Sequence, residues 1–361
     1  MSRVCLGDVA RECRETCKGD KSRYPVVGLE HLTPEEITLS EWSVSGENTF
    51  TKFFHKGDVL FGRRRAYLKK AVVAPFDGVC SGDITVIAAK PERILPDLLP
   101  FVIQNDDLFD YAIGKSAGSL SPRVKWEYLR EYEFELPEIS EQRKLADLLW
   151  AMDATKRSYQ NLAKATNDLM KSRFVELFGD EKISECRWPT KKMVDIFSIT
   201  SSRRILKSEW RTEGEIPFLR VRDMVRLANG EALDNEFYVT EKFYDSRPDD
   251  EKVRSGDIIV SATSTIGKTY VIKDGERFYF KDADVLLFRK KDIPINETYF
   301  SYGLSMPTMW RQIEEGLGAT TVAHFLISKA EKLLQPLPPI ELQERFAAFV
   351  WQSDKSKFEP K

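Results

Sequence analysis

One block of this sequence occurs twice at a fixed spacing. Leu136-Pro137-Glu138-Ile139-Ser140-Glu141-Gln142, then Lys144-Leu145-Ala146, Trp150 and Asp153, returns as Leu337-Pro338-Pro339-Ile340-Glu341-Leu342-Gln343, then Arg345-Phe346-Ala347, Trp351 and Asp354. The offset is 201 residues from Leu136 to Leu337 and again from Asp153 to Asp354. Lys56-Gly57-Asp58-Val59-Leu60-Phe61 answers Ser255-Gly256-Asp257-Ile258-Ile259-Val260 at an offset of 199. Tyr24-Pro25-Val26-Val27 answers Ile216-Pro217-Phe218-Leu219 at 192. An offset that drifts slowly is what insertions in surface loops produce. The chain therefore reads as a tandem duplication of a domain and the helix that follows it, and two copies of one unit suggest two copies of one job.

The length of 361 residues accommodates two cores. Both copies read as short strands broken by turns. In the first copy the predicted strands are Val26 to Leu29, Val59 to Phe61, Ala71 to Ala74, Ile84 to Ala88 and Tyr132 to Pro137, with a helix from Pro96 to Ile113. In the second they are Phe218 to Val221, Ile258 to Ser261, Tyr270 to Ile272, Phe278 to Phe280 and Val285 to Phe288, with a helix from Glu297 to Glu315. From Ser140 to Leu177 there is neither Pro nor Gly. Ser140 suits an N-cap, and Leu145, Leu148, Met152, Thr155, Tyr159, Leu162, Thr166 and Leu169 recur in steps of three and four. This predicts a helix of about 38 residues, roughly 57 Å long, with a narrow apolar seam that needs a partner. The second such helix starts near Glu341 and is stopped by Pro360 after about 17 residues. On that reading Leu162, Leu169, Phe174 and Leu177 lack a partner within the chain, and another chain covers them.

Several chemistries are disfavoured. Ala262-Thr263-Ser264-Thr265-Ile266-Gly267-Lys268-Thr269 imitates a phosphate-binding loop. Such a loop needs a helix starting at its lysine, and here an apolar strand pattern follows. Cys13 and Cys17 lie four apart, but only His31, His55 and His324 exist to complete a metal site, and no catalytic constellation stands out. The five scattered cysteines fit a reducing compartment. Met1 to Asp8 does not read as a signal peptide and no long apolar run occurs, so a cytoplasmic protein is expected. A net charge of −2 argues against non-specific coating of nucleic acid, so any such surface must be local.

Local basic and hydroxyl clusters do occur, at matching places in the two copies. The first copy has Arg63, Arg64 and Arg65 with Lys69 and Lys70, and a small-residue loop carrying Ser119, Ser121, Arg123 and Lys125. The second has Arg203, Arg204, Lys207, Arg220 and Arg222, then Ser264, Thr265 and Lys268, then Thr320, Thr321 and His324. Arg and Lys pair with phosphates and guanine edges, and small hydroxyl residues permit close approach to bases.

The ordered set resembles the specificity subunits of type I restriction–modification enzymes. Leu136-Pro137 with Ile139, Glu141-Gln142, Leu145-Ala146 and Asp153, and its second copy, are similar to the start of that family's conserved regions. The two Gly-Asp strands resemble those of its target-recognition domains. Phe174 with Phe178-Gly179-Asp180 and Trp188 is similar to the join between the first helix and the second domain. The fold implied is α+β: two tandem β-rich recognition domains at 1–138 and 192–338, spacer helices at 139–178 and 339–361, and a linker at 179–191. The helices would form an antiparallel coiled-coil-like connector, long then short, with Leu145, Leu148, Met152, Tyr159, Leu162, Leu169, Phe346 and Val350 at its interface. The resemblance implies a protein without catalysis or cofactor of its own that reads a bipartite double-stranded DNA target, one half per domain. Modification subunits would bring S-adenosylmethionine-dependent adenine methylation, and restriction subunits ATP- and magnesium-dependent translocation and cleavage, in a prokaryotic cytoplasm. A scaffold with duplicated domains, an enzyme on the same repeat, and a truncated, inactive or recombining allele are the alternatives.

Overall fold

The computed structural model describes residues 2–44, 49–233, 235–317 and 324–355. The chain divides into two compact units, Met1–Gln160 and Asn161–Lys361. Unit 1 runs β1 (Ser2–Cys5), α1 (Leu6–Val9), β2 (Ala10–Cys13), β3 (Val26–Val27), β4 (Lys52–Phe54), β5 (Val59–Gly62), β6 (Ala71–Val73), β7 (Gly78–Cys80) and β8 (Ile84–Ala89). It continues through α2 (Leu99–Ile103), α3 (Asp106–Gly114), α4 (Trp126–Leu129) and β9 (Glu133–Leu136) to α5 (Ile139–Phe178), whose residues to Gln160 count with unit 1. The described residues of this unit form the antiparallel four-strand sheet β2-β8-β5-β6, the sheet β3-β7-β4, and the two-strand ladder β1-β9.

The Val59-Leu60-Phe61 run is apolar throughout because both faces of β5 are covered. Val59 and Phe61 pack with Leu99, Ile103 and Phe109 of the helices, and Leu60 packs with Val27, Phe54 and Val86 on the other side. β5 begins on a turn in which Gly57 takes φ +92°, a conformation that favours glycine. The buried Asp58 closes that turn by accepting from His55 N at 2.8 Å.

Unit 2 runs β10 (Thr190–Lys192), α6 (Met193–Ile196), β11 (Phe197–Thr200), β12 (Ile216–Leu219), α7 (Val221–Ala228), β13 (Tyr238–Val239), α8 (Glu241–Asp245), β14 (Ile258–Ser261), β15 (Thr269–Val271), β16 (Tyr279–Phe280) and β17 (Val285–Lys290). Then come α9 (Glu297–Leu304), α10 (Pro307–Leu317), α11 (Ile327–Ala330), β18 (Leu334–Pro336) and α12 (Ile340–Lys355). Its main sheet, β11-β17-β14-β15, has the strand order of β2-β8-β5-β6, and β10-β18 answers β1-β9. Ile258 and Val260 face one core and Ile259 the other, as Val59, Phe61 and Leu60 do. Gly256 has φ +80° and Asp257 accepts from Arg254 N at 2.9 Å, repeating the first turn. The small sheets differ: β4 pairs with β7, whereas β13 pairs with β12.

The repeated Leu-Pro…Gln block is a fastener. Gln142 Oε1 accepts from Leu95 N at 2.9 Å, and its Nε2 donates to the Pro137 carbonyl at 2.9 Å. Gln343 Oε1 accepts from Asn296 N at 3.0 Å, and its Nε2 donates to the Pro338 carbonyl at 2.8 Å. Both side chains are buried, so each helix start is fixed to its unit by a satisfied amide.

Three predicted elements need correction. The helix read over Pro96 to Ile113 is two helices, because Asn105 caps α3 by accepting from Asp107 N at 2.9 Å. The helix read over Glu297 to Glu315 breaks before Pro307, whose missing N–H suits a first helical position. Val221, read as the end of a strand, opens α7, where Asp223 Oδ2 accepts from Arg220 N at 3.0 Å.

The long helix has two different apolar faces. Leu145, Leu148, Met152 and Tyr159 in unit 1, and Leu162 and Leu169 in unit 2, are exposed, so the predicted seam is not packed on its own unit. Phe174 and Leu177, expected to lack a partner in the chain, have one. Phe174 is buried in the unit 2 core, with its ring 5.3 Å from that of Phe346 and 5.5 Å from that of Tyr299. Leu177 packs against the same core. Phe346 and Val350 of α12 belong to the same core, and Phe346 does so at the contact between α12 and α5. Phe346 meets Phe178 and Phe174, and the next turn brings Phe349 under Arg173, so α12 runs antiparallel to the end of α5. Helical periodicity predicts an apolar stripe but not which stretch of it finds a cover.

Candidate nucleic-acid interface

In unit 1 the chain leaving β5 carries three arginines toward the loop before α4. Arg64 Nη2 donates to Ser121 Oγ at 3.1 Å, and residues 64 and 123 form an antiparallel bridge. Asp83, at the entry to β8, accepts from Arg123 Nε at 2.7 Å and Nη2 at 3.2 Å, with Arg64 Nη1 3.6 Å away. The hydrogen bonds from Arg123 hold the Asp83 carboxyl below its ordinary range despite partial burial. Arg63 enters through its backbone, donating to the Asp83 carbonyl at 3.0 Å. Arg65 is exposed in a left-handed conformation at φ 56°. Ser119 and Lys125 are exposed on the same loop, flanking Ser121 and Arg123.

Lys69 and Lys70 do not join this group. Lys69 Nζ pairs with Asp106 at 2.5 Å, and Lys70 Nζ donates to the Leu29 carbonyl at 2.8 Å.

In unit 2 the predicted residues fall into separate groups. Ser264, with φ 58°, Thr265 and Lys268 are exposed at the tip between β14 and β15. The chain after Lys268 is strand, not helix, so this loop lacks the helix N-terminus a phosphate loop needs. Arg203 Nε lies 3.1 Å from Glu251, whose other oxygen accepts from Tyr279 Oη at 2.8 Å. Arg204 lines an open cavity of about 640 Å³ with Ser201, Asp282, Phe325 and Leu326. Lys207 is exposed at the start of a short 3₁₀ turn.

Arg220 is tied in place: it stacks over Phe237 at 4.7 Å and reaches Asp223 at 3.2 Å and Glu236 at 3.0 Å. Arg222 pairs with Glu236 at 2.6 Å. His324 is exposed. Thr320 and Thr321 lie outside the described residues.

Sequence reasoning missed Asp83 and its counterpart Asp284, since only basic and hydroxyl residues were sought for contact with nucleic acid. The available signal was the repeat offset, which places the two carboxylates 201 residues apart, as it does the Leu-Pro blocks. Among the described residues no group of three or more His, Cys, Asp or Glu side chains could hold a metal ion, and no helix is long and apolar enough to cross a membrane.

The family model of the type I restriction modification DNA specificity domain matches the chain twice, over residues 2–165 and 186–359. The chain belongs to that family. Its two copies of the domain carry the two four-strand sheets described above. The chain is 24% identical over 353 residues to the MjaIX specificity subunit of Methanocaldococcus jannaschii, covering 88% of this chain and 78% of that one. It is 27% identical over 156 residues to a putative type I restriction enzyme specificity subunit of Haemophilus influenzae, covering 43% of this chain and 37% of that relative's length. It matches the EcoDI specificity subunit of Escherichia coli at 25% over 169 residues, 44% of this chain and again 37% of the relative. The crystal structure of a type I restriction–modification S subunit from M. genitalium shares the fold at a TM-score of 0.57 and 13% identity, over 99% of this chain and 90% of that one.

Proposed function

We propose that this chain reads a bipartite duplex DNA target, one half per unit, with α5 fixing the gap between halves. The observation that carries this reading is the double match to a DNA specificity domain, one copy on each of two sheets of identical strand order. On this reading the chain performs no chemistry. S-adenosylmethionine, ATP and magnesium belong to partner modification and restriction subunits, in a prokaryotic cytoplasm.

A net charge of −2 supports a divided role. A chain of that charge contributes little general attraction to phosphates, so partner subunits supply part of the grip and this chain the selectivity. The partner-facing surface on unit 1 is the exposed row Leu145, Leu148, Met152 and Tyr159. Beside it lies an open cavity of about 600 Å³ between Leu98, Phe101, Phe134 and Leu149. A contiguous exposed apolar area of this kind marks a docking surface.

The gap is the testable quantity. With the chain assembled with modification subunits, inserting two base pairs between the half-sites of a bound duplex lowers specific affinity about ten-fold or more, because two reading units on one spacer no longer engage together. Affinity indifferent to the gap contradicts the ruler.

A further inference from the structure

The same backbone frame occurs at the reading loops of both units. In unit 1 Arg63 N donates to the Asp83 carbonyl at 3.0 Å, and Val124 N donates to the Arg63 carbonyl at 2.9 Å. In unit 2 Ala262 N donates to the Asp284 carbonyl at 2.8 Å, and Phe325 N donates to the Ala262 carbonyl at 2.9 Å. The strand registers agree, with Gly62 opposite Ile84 and Ser261 opposite Val285. Position 64 therefore corresponds to 263, 83 to 284, and 123 to 324.

Of these three positions only the aspartate is the same in both units. Asp83 holds Arg123 at 2.7 Å and lies 3.6 Å from Arg64. Asp284 accepts from Thr263 Oγ1 at 3.3 Å and pairs with Lys281 Nζ at 2.5 Å. The position of Arg123 is taken in unit 2 by the exposed His324.

A constant frame with exchanged side chains is the arrangement expected where two halves of one protein read different bases. Asp83 grips the Nε–Nη2 edge of Arg123, and that side chain keeps 41% of its surface exposed. The gripped guanidinium is fixed in direction; its Nη1 makes one long bond to the Ser121 carbonyl at 3.4 Å, and the remaining hydrogens of its outer end are left to donate. Two such donors match the O6 and N7 acceptors of guanine in the major groove. Threonine and histidine at the unit 2 junction lack that fork.

We propose that Asp83 is the positioning residue of a base-reading junction in unit 1, where Arg64 and Arg123 read a guanine-containing pair, and that the equivalent junction of unit 2, where the buried Thr263 is held by Asp284 and His324 is exposed, reads a different pair through His324 in the other half-site. This rests on the DNA-reading function proposed above.

The test is selection of bound duplexes from a random pool by the full chain assembled with its modification subunits. Arg64→Thr with Arg123→His is expected to replace guanine at one position of one half-site and leave the other half-site unchanged. Arg123→Lys keeps the charge but loses the fork, and is expected to reduce discrimination for that guanine about ten-fold or more. Asp83→Asn is expected to reduce the same discrimination without weakening binding to random DNA, a pattern that loss of general affinity does not give. Should Asp83→Asn fail to assemble, Arg123→Lys carries the test. If the unaltered chain enriches a target and the arginine variants enrich it with equal discrimination, the junction is overturned and DNA reading stands. If Asp83→Asn weakens cognate and random DNA alike, the positioning role is overturned. No enrichment by the unaltered chain overturns both.

Discussion

Phe346→Ala is expected to destabilise unit 2 by about 3–5 kcal/mol, the usual cost of removing a buried phenylalanine. Phe346 is fully buried, and its ring lies 5.3 Å from Phe174, 5.7 Å from Phe178 and 5.4 Å from Tyr302. Truncation empties a site walled by three aromatic rings, which cannot collapse without moving the end of α5. The repeat supplies the control. Leu145 occupies the same position in the first copy but is 39% exposed. Leu145→Ala is expected to change stability by no more than about 0.5 kcal/mol in the absence of partners. Guanidinium unfolding followed by tryptophan emission and circular dichroism measures both. Equal effects of the two substitutions would mean that the end of α5 does not cover α12.

Asp257→Ala is expected to cost unit 2 about 3 kcal/mol or more. Asp257 is buried and accepts from Arg254 N at 2.9 Å, while Arg289 reaches it at 2.7 Å through Nη2 and 3.0 Å through Nε. Removing the carboxylate leaves a largely buried guanidinium with the Asp249 and Lys252 carbonyls but no counter-charge, and the loss of one partner of such a pair is costly. The first copy again differs. Asp58 closes the same turn, but the position of Arg289 is taken by Ala88, and burial pushes the Asp58 carboxyl above its ordinary range. Its raised folded pKa means that ionisation opposes folding. This residue's contribution is therefore fully favourable below the ordinary carboxylate value and is lost as pH rises through the raised folded value. Asp58→Asn is accordingly expected to be mild at neutral pH, within about 1 kcal/mol, because among the described residues Asp58 makes no close ion pair and His55 and Arg11 act on it only from a distance. A loss as large as that of Asp257→Ala would contradict this. Denaturation midpoints at pH 5 and pH 7 decide it.

The duplication and the interior strands were legible in the sequence, because the sheets repeat and buried strands such as Val59–Gly62 and Ile258–Ser261 are unbroken apolar runs. The ladder of Ser2–Cys5 with Glu133–Leu136 was legible only at its second strand, since β1 is defined by a partner about 130 residues away. The helix breaks are marked by a capping Asn105 and by Pro307 at a first helical position, neither of which apolar periodicity registers. At the candidate interface, the clustering of Arg64, Ser121 and Arg123 depends on a loop that returns to β5, which the 64–123 bridge, the Arg64–Ser121 bond and the Asp83 carboxylate facing both arginines make visible only in the folded chain. Arg220 and Arg222 illustrate the converse: a basic cluster in sequence is held by Asp223 and Glu236 in space. Charge counts do not distinguish an arginine offered to solvent from one already paired.

The central claim is that two copies of one domain read two halves of one DNA target. Selection of bound duplexes from a random pool, by the chain assembled with its modification subunits and at stated salt, tests it most directly. Two short, different motifs separated by an invariant number of unspecified base pairs are expected. A single contiguous motif, a variable gap, or no enrichment would contradict it.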